Sequence, residues 1–205
     1  MIRSRAAPKD PSPAKKQTIQ IVSNERKKFG GVRMCNWCFK TKPDRCHHCS
    51  QCNQCVLKMD HHCPWVANCV GFNNYKYFFC MISNCMFVCW LIVATSWRTV
   101  AQALTHPEAF DYRVAYMIVT IYLLCCVLTI LVTLFVAFHI YLINNGWTTI
   151  EFCEKKSSGF HAGMPYNRGL FRNLQTSLGT NPLLWLVPIS KSSAVLMYCR
   201  SELGG

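Results

Sequence analysis

The sequence predicts a polytopic α-helical membrane protein with two transmembrane helices, a small cytosolic two-zinc cysteine-rich module and a short helical C-terminal tail. Three observations lead to this fold class. Apolar runs without a charged residue occupy residues 77–97 and 114–143. Cysteine and histidine residues crowd into residues 35–69. Residues 144–205, after the second apolar run, return to a mixed polar and basic composition, which is typical of a cytosolic tail.

The chain begins with residues 1–34, which we expect to be a disordered basic tail. This segment combines Pro8, Pro11 and Pro13 with scattered lysines and arginines and has no apolar periodicity. The whole chain of 205 residues has a formal net charge of +13. In a chain with membrane spans, such a basic excess favours an anionic membrane face or a phosphate-bearing substrate over nucleic acid.

The cysteine-rich module, residues 35–75, holds eight cysteines and four histidines within residues 35–69. The full chain has an odd number of cysteines, 15, and its polar N-terminus does not resemble a secretory signal, so metal ligation is favoured over disulfides. Paired C-x2-C hooks with histidines are typical of tetrahedral zinc sites. Two interleaved sets are expected: Cys35, Cys38, His48 and Cys55, and Cys49, Cys52, His62 and Cys69. Four protein ligands leave no open position, so both zinc ions are structural.

Asp60, His61 and Cys63 remain outside both zinc sets and form an acid, a base and a nucleophile within four residues. A thiol with a pKa of about 8.5 needs activation near neutral pH. We expect Cys63 to be the nucleophile, His61 its general base and Asp60 the group that orients His61. Adjacent residues of an extended chain face opposite ways, so His62 can bind zinc while His61 does not. Cys46 is interpreted as a bystander thiol.

The two apolar runs are each long enough to cross a bilayer. Residues 77–97 lie between Lys76 and Arg98, and a helix of that length covers about 30 Å. We therefore predict transmembrane helices at residues 76–98 and 114–143, joined by a lumenal loop at 99–113. The alternative, a core helix of a soluble protein, is disfavoured because both runs exceed about 18 residues.

The placement of lysine and arginine predicts the orientation. Fourteen precede residue 77, two lie at the ends of the loop and six follow residue 143. The positive-inside rule then places both termini and the zinc module in the cytosol. In the cytosolic tail, Asn144-Asn145-Gly146 predicts a helix stop, and Thr148 with Glu151 predicts a capping box that begins a short helix.

Beyond these patterns, a long motif carries a resemblance to a known family. It runs through Lys42-Pro43-x-Arg45-x-x-His48-Cys49, then Met59-Asp60-His61-His62-Cys63-Pro64-Trp65-Val66-x-Asn68-Cys69-Val70-Gly71, and Asn74-Tyr75. Further matches occur at Thr148-Thr149-Ile150-Glu151 and around Asn173. The sequence resembles the DHHC family of protein S-acyltransferases, the palmitoyltransferases, over roughly residues 35–182.

The resemblance implies a two-step reaction. Cys63 takes a long-chain acyl group from acyl-CoA as a thioester and passes it to a cysteine of a membrane-proximal target protein. It also implies roles for individual residues. Trp65 lies beside the thioester, Lys42 and Arg45 contact the CoA phosphates, and Val88 limits the acyl chain length. Thr149 contacts Asp60, and Thr148, Glu151 and Asn173 give structural support. The implied location is a eukaryotic endomembrane, the ER or Golgi.

One departure from the family concerns its membrane helices. Family members usually have two before the cysteine-rich module, and nothing in residues 1–34 is apolar enough to span a bilayer. We therefore keep a truncated, inactive or regulatory family member as the alternative, along with an accessory subunit that supplies further helices. A nucleic-acid zinc knuckle is disfavoured because His62 does not fit its spacing, and a RING ligase because no C-x2-C pair follows Cys69.

Overall fold

A computed structural model of the chain describes residues 32–158 and 166–189. The expected disorder of residues 1–34 therefore falls almost entirely outside the described residues. The described part forms two compact units. The first contains the described residues up to Phe78 and from Leu142 onward, and the second is Phe79–Tyr141. The fold class is the predicted one, with two long apolar helices and a cysteine-rich module.

Two β-hairpins make up the secondary structure of the cysteine-rich module. Strand β1 (His47–Cys49) pairs antiparallel with β2 (Gln54–Val56), and β3 (His61–Cys63) pairs antiparallel with β4 (Asn68–Val70). The registers correspond: His48 lies opposite Cys55 in the first hairpin, and His62 lies opposite Cys69 in the second. Strands of three residues bury little apolar surface, so hairpins this short need a further source of stability.

The long helices are α1 (Tyr75–Thr105) and α2 (Tyr112–Asn145), and both are long and apolar enough to cross a membrane. Helix α1 continues through the first seven residues of the predicted loop. Residues 99–105 contain neither Gly nor Pro, and Pro107 is the first residue that must interrupt the helix. Within the second unit, Trp90 Nε1 donates a hydrogen bond to Thr133 Oγ1 at 3.1 Å and so joins the two helices.

Helix α2 ends in a Schellman motif, as Asn144-Asn145-Gly146 predicts. The N–H of Trp147 donates to the carbonyl of Leu142 and that of Gly146 to Ile143, both at 2.9 Å. Gly146 has a φ of 69°, and a Cβ there would lie 2.9 Å from the carbonyl oxygen of Tyr166. Both facts require glycine at this turn, where α2 ends and the tail begins.

The tail forms α3 (Thr149–Ser158) and α4 (Leu170–Leu178). Thr148 caps α3 as predicted: its Oγ1 accepts from the Glu151 N–H at 3.3 Å, and its own N–H donates to Glu151 Oε2 at 2.8 Å. In α4, the buried Asn173 donates through Nδ2 to the Asn144 carbonyl and to Asn167 Oδ1, both at 2.9 Å. Its Oδ1 accepts from the Arg168 N–H at 3.0 Å.

We expect Asn173→Ala to lower the thermal midpoint of the purified protein. The variant removes the hydrogen bonds that the buried Asn173 amide forms with Asn144, Asn167 and Arg168, which costs about 1–3 kcal/mol. Thermal denaturation in detergent measures the shift, and Arg172→Ala, at an exposed position on the same helix, is the control. Equal midpoints for the two variants would contradict this role of Asn173.

Candidate active site and metal centres

Two groups of three cysteines and one histidine lie in the module, and they are the two sets that the sequence predicts. In each group the sulfur and nitrogen atoms all lie within 4.8 Å of one another. The first consists of Cys35, Cys38, His48 and Cys55, and the second of Cys49, Cys52, His62 and Cys69. The cross-strand pairs of the two hairpins, His48 with Cys55 and His62 with Cys69, supply half of each group.

The spacing of these atoms fits tetrahedral zinc. Zn–S bonds of about 2.3 Å and Zn–N bonds of about 2.0–2.1 Å place neighbouring ligand atoms about 3.6–3.8 Å apart. In the first group, His48 Nδ1 lies 3.3 Å from Cys38 Sγ and 3.9 Å from Cys55 Sγ. In the second, His62 Nδ1 lies 3.4–3.7 Å from the three sulfur atoms. Both groups therefore suit a structural zinc ion.

The two sets are copies of one pattern, C-x2-C-x9-H-x6-C. Positions 35 and 49, 38 and 52, 48 and 62, and 55 and 69 are each 14 residues apart. The backbone repeats as well. Phe39, Asn53 and Ala67 stand 14 residues apart and have φ values of 53°, 49° and 46°. The module thus contains three equivalent knuckles, at residues 35–40, 49–54 and 63–68.

Cys63 begins the third knuckle, where Val66 stands in the place of the second cysteine. The corresponding cysteines of the first two knuckles, Cys35 and Cys49, are both members of metal groups. Cys63 belongs to neither group, although its side chain is buried like theirs, with 4% of its surface exposed. The third knuckle therefore keeps the backbone of a zinc hook and leaves its first thiol outside both metal groups.

The side chains of Asp60 and His61, three and two residues before this thiol in the chain, form an acid–base pair. His61 Nδ1 lies 2.7 Å from Asp60 Oδ2, and because a carboxylate only accepts, the imidazole donates from Nδ1. That leaves Nε2 as the basic nitrogen. His61 and Cys63 are two residues apart on strand β3 and so share a face, while His62 points to the other face and joins the metal group.

Asp60 is held by groups distant in sequence. It is 1% exposed, and its Oδ1 accepts from the Thr149 N–H at 3.0 Å. Its Oδ2 accepts from Thr149 Oγ1 at 2.8 Å, the same oxygen that faces His61. The Asp60 N–H donates to the Val70 carbonyl on β4 at 2.9 Å. Strand pairing and helix α3 therefore fix the carboxylate from two sides.

For the acyl transfer that the family resemblance implies, we expect Thr149→Val to slow acylation of Cys63 about tenfold, because one hydrogen bond to a charged group contributes about 1.5 kcal/mol. The variant removes the hydroxyl donor and keeps the N–H contact to Asp60. Thr149→Ser retains the hydroxyl and is expected to react at nearly the wild-type rate. Pre-steady-state labelling with acyl-CoA measures both rates. Equal rates for the two variants would show that the hydroxyl does not orient Asp60.

Arg45 differs in placement from what the resemblance implies. It is 5% exposed, and it binds Glu151 through two hydrogen bonds, from Nε to Oε1 at 2.6 Å and from Nη2 to Oε2 at 2.7 Å. Nη2 also donates to the Gly146 carbonyl at 2.9 Å, and the Tyr166 ring lies 4.5 Å from the guanidinium carbon. The guanidinium thus joins the zinc module to the N-terminus of α3 instead of facing solvent.

The other expected substrate residues are more accessible. Lys42 is half-buried, Trp65, two residues after Cys63, is 94% exposed, and Val88 lies on α1 with 49% of its surface exposed. Cys46 is buried, and that burial raises the pKa of its thiol, which makes it a poor nucleophile at neutral pH. Burial likewise lowers the pKa of His47, the counterpart of His61 in the first hairpin, so this imidazole stays neutral.

Comparison with known proteins agrees with this geometry. The family model for the DHHC palmitoyltransferase matches residues 28–156, well over half of the chain. The chain belongs to the DHHC palmitoyltransferase family. The match contains both metal groups, Asp60, His61 and Cys63, both long helices and Glu151.

Curated relatives from the same family cover most of this chain. Palmitoyltransferase ZDHHC15 of Rattus norvegicus is 37% identical over 164 residues, which are 80% of this chain and 48% of the relative. ZDHHC15A of Danio rerio is 39% identical over 84% of this chain and 53% of its own length. Human ZDHHC2 is 34% identical over 80% of this chain and 44% of its own length. The chain therefore spans about half the length of the DHHC relatives that it matches.

Two features of the DHHC module lie beyond the local motifs of its sequence. The first is the 14-residue repeat. When the chain is aligned with itself at this spacing, Cys63 falls at the position of the metal-group members Cys35 and Cys49, but it belongs to neither group. The second is the pairing of Arg45 with Glu151, which joins residues 106 positions apart. A local pattern carries no signal for that contact.

Proposed function

We propose that this chain is a protein S-palmitoyltransferase that transfers a long-chain acyl group from acyl-CoA to cysteines of membrane-associated proteins. The observation that supports this most is the third knuckle. It presents a thiol outside both metal groups, on the same strand face as a histidine whose Nδ1 is engaged by a buried carboxylate. Membership of the family supports the reaction class. The Arg45–Glu151 ion pair and the contact of Thr149 with Asp60 support a fixed orientation of the reacting groups, which such chemistry needs.

In the first step, His61 Nε2 takes the proton of the Cys63 thiol as the sulfur attacks the thioester carbonyl. The C–S bond to CoA breaks, and the CoA thiolate receives the proton from His61. In the second step, the thiol of a target cysteine attacks the Cys63 thioester with the same base, and Cys63 leaves as the thiol. Asp60 accepts from His61 Nδ1 in both steps and stabilises the imidazolium that forms.

We assign the remaining substrate contacts as follows. Lys42 binds the CoA phosphates as an accessible point charge. Trp65 shields the thioester from water, and its exposed indole lies two residues after the nucleophile. Val88 limits the length of the acyl chain. Arg45, because its guanidinium is bound by Glu151, is a positioning residue in this proposal and not a phosphate ligand.

The zinc ions give the module its structure when bound, and the chemistry is carried by the side chains of Asp60, His61 and Cys63. For the whole protein we propose an integral membrane protein of a eukaryotic endomembrane, such as the ER or Golgi, with the module in the cytosol. The excess of lysine and arginine outside residues 98–113 supports this orientation. Its partners would be the bilayer and target proteins with membrane-proximal cysteines.

The test uses the protein purified in detergent and incubated with radiolabelled palmitoyl-CoA, beside Cys63→Ser and His61→Ala. We expect hydroxylamine-labile label on the wild type, none on Cys63→Ser and a rate at least about a hundredfold lower for His61→Ala. Equal labelling of wild type and Cys63→Ser would contradict the assignment of the nucleophile. Label that never passes to an added cysteine peptide would contradict the transfer step of the proposal.

A further inference from the structure

The tip of the first knuckle displays two aromatic side chains, whereas the second knuckle displays none and the third displays one, Trp65. Residues 32–42 form a short hairpin, which we call the aromatic knuckle. Met34 and Thr41 form an antiparallel bridge, the Cys35 N–H donates to the Lys40 carbonyl at 2.9 Å, and the Lys42 N–H donates to the Arg33 carbonyl at 2.7 Å. Because Cys35 and Cys38 both belong to the first metal group, the tip between and after them is held in one conformation.

The aromatic knuckle exposes two large rings. Trp37 is 75% exposed and Phe39 is 82% exposed, and Val32 and Met34 at the base of the hairpin are about half exposed. The indole of Trp37 stacks on the imidazole of His48, with centroids 6.1 Å apart and planes 18° apart. A ring that is already held in place loses little conformational entropy when a partner covers it.

The zinc fold does not require these aromatic residues. In the second knuckle the equivalent positions are Gln51 and Asn53, and the backbone is the same, with φ values of 53° at Phe39 and 49° at Asn53. Left-handed backbone of this kind suits asparagine and is unfavourable for phenylalanine. Phe39 therefore carries a local conformational cost that its largely exposed ring does not offset by packing, which points to a use at the surface.

The charges around the knuckle have one sign. Lys40 and Lys42 flank the tip, with Lys40 exposed and Lys42 half-buried. The acidic residues of the module, Asp44 and Asp60, are both buried, at 4% and 1% exposure. The solvent-facing surface of the module is thus basic around an apolar tip. This surface is complementary to a partner that has an anionic surface layer and an apolar interior.

We propose that the aromatic knuckle inserts into the headgroup region of an anionic lipid bilayer. This contact goes beyond acyl transfer and does not depend on it. A bilayer is the most direct partner, because helix α1, which is apolar enough to cross a membrane, begins at Tyr75, directly after the module. Trp and Phe side chains partition into the membrane interface, and neighbouring lysine and arginine side chains bind anionic headgroups. The knuckle would add a second membrane contact to the two helices.

The test places the photocrosslinker p-benzoylphenylalanine at position 39 or, as the matched control, at position 53 of the second knuckle. Each full-length variant is reconstituted in nanodiscs of phosphatidylcholine, with or without phosphatidylserine, and zinc content confirms that the module is folded. We expect lipid adducts at position 39 and few at position 53. Adding phosphatidylserine should raise the yield at position 39 about fivefold, since one basic residue near the surface contributes about that much.

A second measurement uses Trp37→Gln with Phe39→Asn, which gives the first knuckle the residues of the second. Quenching of tryptophan fluorescence by brominated phosphatidylserine should fall relative to wild type while two zinc ions per chain are retained. Equal lipid adducts at positions 39 and 53, or a yield at position 39 that phosphatidylserine does not change, would overturn the proposal. Adducts at position 39 to protein alone, whether a second copy or residues 1–31, would overturn it as well.

Discussion

Replacing Arg45 with alanine is expected to lower the rate constant for Cys63 acylation about a hundredfold and to leave the KM for acyl-CoA nearly unchanged. Arg45 donates two hydrogen bonds to Glu151, and Glu151 caps helix α3, whose first residue, Thr149, holds Asp60. Truncating one partner of a buried pair leaves the other charge unpaired, which costs about 3–5 kcal/mol. Helix α3 would then shift, and the orientation of Asp60 and His61 would be lost with it.

Two matched variants separate this role from phosphate binding. Lys42→Ala removes an accessible positive charge and is expected to raise the KM with little change in the rate constant. Arg45→Lys keeps the charge but cannot form the two-pronged contact with Glu151, so it should behave like the alanine variant. If Arg45→Lys retains activity and Arg45→Ala mainly raises the KM, Arg45 binds CoA and the positioning role is wrong.

Cys69→Ser is expected to abolish acylation altogether by unfolding the module. Cys69 is fully buried in the second metal group and lies opposite His62 in the β3–β4 hairpin. Structural zinc contributes about 10–16 kcal/mol in small zinc-finger peptides, more than strands of three residues can replace. Because the two sets interleave along the chain, we expect both zinc ions to be lost, together with protection of the module from protease.

The control for that variant is Cys46→Ser. Cys46 is also buried, with 4% of its surface exposed, but it lies outside both metal groups. We expect it to retain two zinc ions and near-wild-type labelling. Zinc analysis and limited proteolysis of the purified proteins measure both outcomes. A Cys69→Ser protein that keeps both zinc ions, or a Cys46→Ser protein that loses one, would contradict the ligand sets.

The sequence predicts the features that depend on local chemistry. The apolar runs predict two helices because their length alone matches a bilayer. The stop at Gly146 and the cap at Thr148 follow from conformational preferences of a few adjacent residues, and the structure confirms both. Helix α1 runs past the predicted end of its apolar span, since a charged residue, Arg98, ends an apolar run without ending a helix. Hydropathy reports where membrane contact stops, and backbone hydrogen bonding continues to Thr105.

Contacts between residues far apart in the sequence cannot be predicted from local patterns. Asp60 and His61 are neighbours in the chain, so their pairing follows from spacing. Thr149 reaches Asp60 across 89 positions, and only the resemblance to a family predicts that contact. The same resemblance assigns Arg45 to the CoA phosphates, where a basic side chain near the zinc module would be expected. The backbone places Arg45 with a φ of 58° and turns it toward Glu151, which residue type alone does not encode.

The location of the acyl group identifies the nucleophile. The chain has 15 cysteines, and the proposal assigns one of them to catalysis. The purified protein would be incubated briefly with palmitoyl-CoA, its free thiols blocked, and its peptides analysed by mass spectrometry. We expect palmitate on Cys63 in the peptide that contains Asp60 and His61, and its loss with neutral hydroxylamine. Palmitate on Cys46 or on another cysteine, with Cys63 recovered as a blocked thiol, would contradict it.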